Sequence, residues 1–241
     1  MYDLSSLEEA NVNELGDALA GAAAKASSME GAANRIVNYL YDNLTDPTTG
    51  DRSCALVRFY KTHPYGQLDS DLQAFAQGIL GHAPESGDMK CLTLLATAGE
   101  KAEWNSRERS VGHRAIPLPS ETFVSQIPMI SRLVSQFGLD VNAVIKPDPT
   151  LLADLEQKTY NAFHIPEAVG SPYIPAQNDF VIPYGVQSVL GFGGMLSSGD
   201  LFAVIMFAKT HIPRASADAV QSLALKVKET AEPFVKAKVF A

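Results

Sequence analysis

The chain has 241 residues, a formal net charge of −8 at pH 7 and 46% hydrophobic residues, a composition typical of a globular protein with a full core. The acidic balance argues against a general nucleic-acid partner, because phosphate binding needs clustered Lys and Arg side chains. No apolar run is long enough to cross a membrane, and the N-terminus MYDLSSLEEAN lacks the features of a secretory signal. We therefore expect a cytoplasmic protein with no membrane partner.

Two helices are predicted in the first 45 residues. Ser6 and Glu9 have the spacing of a capping box at the start of the first helix. The second helix is predicted from an apolar stripe at helical spacing, formed by Met29, Ala33, Ile36, Val37, Leu40 and Leu44. The turn-forming segment DPTTG at 46–50 ends this region. We expect 1–45 to be a helical unit for packing or dimerisation and 46–241 to be a ligand-binding domain.

The pattern then changes to that of strands. Apolar runs at 53–60 and 89–98 predict two strands. Between them Asp69 or Ser70 is expected to cap a short helix, whose inner face would consist of Leu72, Phe75, Ala76 and Ile79. A polar connector of mixed charge follows over 99–119.

The next region predicts a helical insertion and a long loop. Apolar residues over 123–137 recur at helical spacing; Pro128 predicts a late start or a kink, and Gly138 the end. A further helix is expected to begin at Asp148, with Leu151, Leu152 and Leu155 facing inward. Residues 163–183 contain four prolines and no clean period, which predicts a lid of the kind that often carries binding residues.

Three glycines in the stretch GFGG at 191–194 invite a nucleotide-binding interpretation. A dinucleotide fingerprint needs a third glycine and a following helix, but its third position is Leu196 and an apolar run follows at 201–207. The stretch therefore predicts a β-hairpin, in which glycine allows a bulge or a close backbone approach. A last helix, capped by Ser216, is expected after Pro213.

Strands that do not alternate regularly with helices indicate the α+β class. The segments RFYKTHPYGQLD, FHIPEAVGSPYIPAQNDFVIPYGVQSVLGFGGML and LFAVIMFAKTHIPR resemble an extended GAF-like module found upstream of PAS and histidine-kinase domains in bacterial signalling proteins. The resemblance implies a six-stranded antiparallel sheet flanked by N- and C-terminal helices. It also implies a pocket on one face, covered by the helical insertion and the Pro-rich loop, and a homodimer formed through the terminal helices.

In such a module the connector and the lid cover the pocket, so the resemblance places His113 and His164 beside it. Either histidine would be able to ligate haem iron or to hydrogen-bond a ligand. Arg114 belongs to a basic cluster with Arg107 and Arg109 that suits a ligand carboxylate or phosphate. The alternative is that these side chains are simply solvated loop residues.

Aromatic residues of the same region predict an apolar wall, as small-molecule sites usually have. The candidates are Phe163, Tyr173, Phe180, Tyr184 and Phe192. The alternative is that these rings only cover the sheet. No metal site is expected, because no histidine pair has the spacing of a zinc hydrolase.

Evidence for catalysis is weak in this sequence. Cys54 and Cys91 lie in apolar runs and are expected to be buried thiols, and no serine lies in a G-x-S-x-G motif. His63 and His211 follow strands and would converge if those strand ends were adjacent; the alternative is that both are exposed loop residues.

The leading hypothesis is a non-enzymatic sensory domain that binds a small molecule. One alternative is a haem- or tetrapyrrole-binding gas or redox sensor that uses His113 or His164. The sequence is also compatible with an enzyme of unknown reaction in the same pocket, and with a dimerisation module that has a filled interior.

Overall fold

The computed structural model describes residues 1–148, 150, 162–235 and 239–240. Its centre is a six-stranded sheet in the order β3-β2-β1-β6-β5-β4, and every neighbouring pair is antiparallel. The strands are β1 (Cys54–Pro64), β2 (Lys90–Gly99), β3 (Ala115–Leu118), β4 (Phe163–Ile165), β5 (Ser188–Met195) and β6 (Leu201–Ala208). The predicted α+β class with an antiparallel sheet is confirmed.

Three helices lie on one face of this sheet, which we call the helix face: α1 (Glu9–Ala23), α2 (Met29–Asn43) and α8 (Gln221–Ala231). Of the three, α2 and α8 pack on the strands, and α1 packs mainly on these two helices. Their buried residues form one core cluster with alternate residues of the central strands, such as Phe59, Phe192 and Val204. A short helix, α7 (Arg214–Ala219), precedes α8, and α3 (Ser70–Leu80) packs beside β3.

The opposite face, called the lid face, is covered by the helical insertion and the Pro-rich segment. The insertion consists of α4 (Glu121–Ser125), α5 (Pro128–Gln136) and α6 (Val141–Ile145). The Pro-rich segment, which we call the lid, runs over 166–187 and contains a π-helical turn at Gln177–Val181. A second core cluster lies between these elements and the sheet.

Several local predictions need correction. Ser6 is not a cap: α1 begins at Glu9 with a capping box between Glu8 and Asn11, while Ser6 Oγ donates to Asp3. Ile79 is exposed, because α3 buries only the narrow stripe that contains Leu72 and Ala76.

The late helix start predicted at Pro128 is confirmed, whereas Ser216 does not cap the last helix. Pro128 begins a separate helix, α5, as its missing N–H allows at a first turn. Ser216 is buried inside α7, whose N-cap residue is Pro213. The helix predicted from Asp148, with Leu151, Leu152 and Leu155, lies outside the described residues, although the Asp148 carboxylate accepts from Thr150 N.

The glycine-rich stretch forms the predicted hairpin of β5 and β6. Gly191 and Gly193 both face the lid side, where a Cβ on Gly193 would lie 2.8 Å from the ring of Phe137. Glycine at these positions therefore lets aromatic side chains rest directly on the sheet. None of the helices that the structure describes is both long and apolar enough for a membrane span.

Candidate functional site

The centre of the lid face carries a buried arginine, Arg58. It lies on β1 between Leu56 and Tyr60, which belong to the lid-face core, and only 7% of its surface is exposed. Its Nη1 donates to the Tyr60 hydroxyl at 3.0 Å and to the Gly112 carbonyl at 3.3 Å, and its Nη2 donates to Ser110 Oγ at 3.0 Å. The guanidinium therefore ties the loop between β2 and β3 to the sheet.

The positive charge of Arg58 is not neutralised. All three of its acceptors are uncharged, none of the ion pairs found among the described residues includes it, and its buried Nε has no hydrogen-bond partner. A buried charge without a counter-ion is costly to a fold. This cost is expected where a charge serves a ligand.

Thr97 adds a second unsatisfied polar group beside this cation. It lies directly opposite Arg58 on β2, and directly opposed residues of antiparallel strands share one face of a sheet. The residue is 2% exposed, and its Oγ1 has no hydrogen-bond partner among the residues that the structure describes. A guanidinium Nε and a hydroxyl are thus both available for a ligand on the same face.

The connector, which in the structure spans 100–114, borders this site. His113 has a φ of 59°, a backbone conformation uncommon for a residue other than glycine. The residue is exposed at the surface, and its pKa is lowered by partial desolvation and then by the Arg58 cation. The Arg114 carbonyl accepts from Leu94 N at 2.8 Å, and the buried Nε of Arg114 has no hydrogen-bond partner in the described part of the chain. Of the residues predicted from the sequence, His113 and Arg114 therefore lie near Arg58.

An aromatic cluster adjoins the site along the strands. Trp104 of the connector contacts Phe180 and Tyr184 of the lid, with ring centroids 5.5 and 4.7 Å apart, and Phe180 lies 5.0 Å from Phe207 of β6. Phe207 pairs with Leu56, two residues from Arg58, which corresponds to roughly 7 Å along a strand. Two predicted wall residues, Phe180 and Tyr184, thus lie on the same face of the sheet as Arg58, in a cluster whose β6 member is opposite a residue two positions from Arg58.

The lid is held together by its own hydrogen bonds. The Gln177 side chain accepts from Gly170 N and donates to the carbonyls of Ala168 and Ile174. Tyr173 lies on the same side of the sheet but farther along, with the Arg132 guanidinium 5.3 Å from its ring centre. It packs against the helical insertion rather than in the aromatic cluster.

Phe192 and His164 do not join the other predicted residues, since strand alternation turns them to the opposite side. Phe192 is fully buried in the helix-face core. The neighbours of His164 on β4, Phe163 and Ile165, face the lid side, so His164 faces the helix side. There its ring forms a hydrogen bond with the Ile212 backbone, and burial lowers the pKa of the imidazole.

The remaining residues singled out from the sequence do not join the lid-face site. Arg107 pairs with Glu30 at 3.0 Å and Asp69 at 3.6 Å, while Arg109 is exposed. His63 and His211 do not converge: β1 and β6 are antiparallel, so the end of one lies beside the start of the other. In the described part of the chain, no group of three or more metal-binding side chains is suited to hold an ion.

Both cysteines are buried on the side away from the lid-face site. Burial raises the pKa of each thiol to about 12. Cys54 and the residue opposite Cys91, His63, stand at the two ends of β1, so the sulfur atoms are separated by roughly 30 Å, far beyond disulfide reach. The expectation of buried thiols is confirmed.

Arg58 and Thr97 were not selected from the sequence. The sequence does contain a feature that points to Arg58, since it is a charged residue inside the apolar run CALVRFY. Such a residue also fits the solvated face of a half-exposed strand, and only the helical insertion and lid, far away in sequence, make that face an interior.

No protein-family model matches the sequence, and no curated protein matches it either. Solved structures are similar in architecture. A free methionine-R-sulfoxide reductase from Neisseria meningitidis, in complex with its substrate, has 13% identity and a TM-score of 0.48, covering 96% of this chain and 94% of that chain. A GAF domain of a phosphoenolpyruvate-protein phosphotransferase from Coxiella burnetii has 12% identity and a TM-score of 0.43, covering 94% and 95%.

A phycoerythrobilin-bound GAF domain from a cyanobacterial phytochrome has 13% identity and a TM-score of 0.41, covering 93% of this chain and 97% of that chain. The six antiparallel strands and flanking helices of this chain are those that the GAF-like resemblance of the sequence implied. These similarities concern the fold alone.

Proposed function

We propose that this protein is a non-enzymatic sensory module that binds a small molecule on the lid face, between the sheet, the connector and the lid. The observation that carries the proposal is the buried guanidinium of Arg58, which has no counter-ion and whose Nε, like the nearby Thr97 hydroxyl, has no partner among the described residues. The adjoining rings of Trp104, Phe180 and Tyr184 supply the apolar surface that small-molecule sites usually have.

The connector offers a route from this site to the helices. Arg58 holds Ser110 and Gly112, and three residues earlier Arg107 pairs with Glu30 in the first turn of α2. A ligand that competes for Arg58 changes how the connector is held. It thereby favours one arrangement of α2 over another, by the difference in its affinity for the two.

The sensory proposal includes a cytoplasmic, bacterial homodimer formed through the terminal helices. Leu225 on α8 is an exposed apolar side chain at 59%, on a helix that already packs against α1. Light scattering after gel filtration is expected to give twice the chain mass. Leu225→Glu is expected to shift it toward the monomer, whereas Ile79→Glu, at another exposed apolar site, leaves it unchanged.

The function is tested by a thermal-shift screen of metabolites together with native mass spectrometry of freshly purified protein. We expect at least one compound to raise the melting temperature reproducibly, since a ligand that binds only the folded state stabilises it. A screen without any shift, and a mass spectrum without any adduct, would instead favour a dimerisation module with a filled interior.

A haem or tetrapyrrole sensor is a second candidate, and His113 is the predicted histidine that lies beside the lid-face site. This candidate requires a Soret band in the purified protein and its loss in His113→Ala. Enzymatic thiol chemistry has less support, because both cysteines are buried, have raised pKa values and lie away from the site.

A further inference from the structure

We infer that the ligand of the lid-face site carries a carboxylate, which Arg58 binds with the help of the Thr97 hydroxyl. This inference rests on the proposed function and assigns the chemical class of its ligand. It starts from the one charged group that is buried in the site and lacks a charged partner among the described residues there.

The hydrogen bonds of Arg58 leave one side of the guanidinium open. Nη1 is fully used by Tyr60 and Gly112, whereas Nε is unpartnered and Nη2 is held only by the neutral Ser110 hydroxyl. Nε and Nη2 lie on the same edge of the planar guanidinium and match the two oxygens of a carboxylate. A side-on carboxylate fills Nε and competes with Ser110 for Nη2.

Thr97 fits the same occupant. Its buried hydroxyl, opposite Arg58 on β2, can donate a hydrogen bond to a carboxylate oxygen and thereby gain a partner. The exchange replaces a neutral acceptor of Arg58 by a charged one, and charge-assisted hydrogen bonds are about twice as strong as neutral ones.

The charge balance favours a monoanion over a phosphate dianion. Among the described residues, Arg58 is the one buried cation of the site, and it has no ion pair. The Glu108 carboxylate on the connector is paired with Arg107 at 3.2 Å, and its pKa is lowered by hydrogen bonding to Ser106 and then by the Arg107 and Arg114 cations. One carboxylate therefore balances the site, while a dianion would leave a negative charge buried.

The rest of the ligand is expected to be apolar or aromatic. Phe207, which Phe180 contacts, lies opposite Leu56 on β1, two residues or roughly 7 Å along the strand from Arg58, so an aromatic group on the ligand would extend toward the aromatic cluster. Phenylacetate and 3-phenylpropionate are accordingly the probes that we choose.

The test measures the affinity of phenylacetate, 3-phenylpropionate and their uncharged amides by calorimetry or saturation-transfer NMR. We expect each acid to bind at least about tenfold more tightly than its amide. Arg58→Gln should abolish this preference, and Thr97→Val should reduce acid binding severalfold without affecting the amide. Arg109→Gln removes the same charge from an exposed connector site and should behave as the wild type.

Circular dichroism and melting curves establish that each variant is folded. If Arg58→Gln does not fold, Arg58→Lys and Thr97→Val carry the test, since lysine keeps the charge but loses the two-pronged geometry. Equal binding of acids and amides, or an acid preference that survives in Arg58→Gln, would overturn the inference while leaving a ligand site in place.

Phenyl phosphate tests whether the site prefers a phosphate to a carboxylate. If phenyl phosphate bound more than about tenfold more tightly than phenylacetate, the assignment of a carboxylate would be overturned. A metabolite screen that yields only uncharged ligands would overturn it as well, whereas a screen that yields no ligand contradicts the proposed function itself.

Discussion

Asp200, at the start of β6, joins two lysines in the interior. Its carboxylate lies 2.7 Å from Lys61 Nζ and 2.5 Å from Lys90 Nζ, and its side chain is only 10% exposed. Removing one member of a buried ionic cluster leaves the others uncompensated, at a cost of about 3–5 kcal/mol. We therefore expect Asp200→Asn to lower the free energy of unfolding at pH 7 by about 3 kcal/mol in urea titrations.

The pH dependence of this loss has a defined sign. Lys61 and Lys90 overcome the effect of burial and lower the pKa of Asp200 from 3.8 to about 2. Its contribution is complete above the unfolded value and is lost as the pH falls toward 2. The gap between wild type and Asp200→Asn should narrow over that range; a constant gap would contradict the electrostatic origin. Ser198→Ala, which removes only a neutral donor to Asp200, should cost about 1 kcal/mol.

His63 adds a second pH dependence to the stability of the protein, at higher pH values than that of Asp200. Burial, and then the Lys61 ammonium, lower the pKa of His63 from 6.5 to about 3, although Asp200 acts in the opposite direction and Lys90 adds to the decrease. Protonation therefore favours the unfolded state, so stability is full above pH 6.5 and falls below it, by up to about 1.4 kcal/mol per pH unit.

We expect His63→Gln to flatten the dependence of unfolding free energy on pH between 6.5 and 4. The matched control is His82→Gln, which changes an exposed histidine and should retain the wild-type slope. If the wild type showed no loss of stability over this range, or if the two variants behaved alike, His63 would not be the group responsible.

The β5–β6 hairpin requires glycine at position 193, because neighbouring backbone and side-chain atoms lie very close to it. A Cβ on Gly193 would lie 2.9 Å from the Ala203 Cα and 2.8 Å from the Phe137 ring, and still nearer to the Phe202 carbonyl oxygen. Gly193→Ala should therefore destabilise the protein by about 2 kcal/mol through overpacking. Gly78→Ala in α3 meets nothing within 4 Å and should stabilise by about 0.5–1 kcal/mol. Chemical denaturation compares the two, and equal effects would contradict the close-packing account.

The long elements were predictable from sequence, and the short edge strands were not. The stripe of α2 repeats the helical period over many residues, and β1 begins with a long, mostly apolar run that is buried on both faces, so local pattern and tertiary burial agree. In contrast β3 has four residues with Pro117 among them, and β4 has three, too few to establish a period. Both are strands because they pair with a neighbour that is distant in sequence.

The same limit applies to the site. Residues of the connector and lid were expected together, and His113, Phe180 and Tyr184 do lie around the lid-face site. Phe192 was grouped with them by proximity in sequence, but alternation along β5 directs it into the helix-face core. Arg58 gained its role only through Ser110 and Gly112, more than fifty residues later.

At the scale of the whole molecule, the connector joins the two faces of the sheet. Its Ser110 and Gly112 are held by Arg58 on the lid face, and its Arg107 reaches Glu30 of α2 on the helix face, with a side chain only 10% exposed. If a carboxylate binds Arg58, the hydrogen bonds between Arg58 and the connector weaken. The position of Arg107, and hence its ion pair with the first turn of α2, then changes. The coupling thus depends on Arg107 without requiring any contact between ligand and helix.

Hydrogen exchange can follow this coupling directly. We expect phenylacetate to alter the exchange of peptides covering α2 in the wild type and in Arg109→Gln, but not in Arg107→Gln, which cuts the ion pair while leaving Arg58 and Thr97 in place. Phenylacetate affinity, measured in parallel, should be retained in Arg107→Gln within about threefold. A ligand effect on α2 that persists there would contradict transmission through the connector, because the remaining route between the faces would then be the sheet itself.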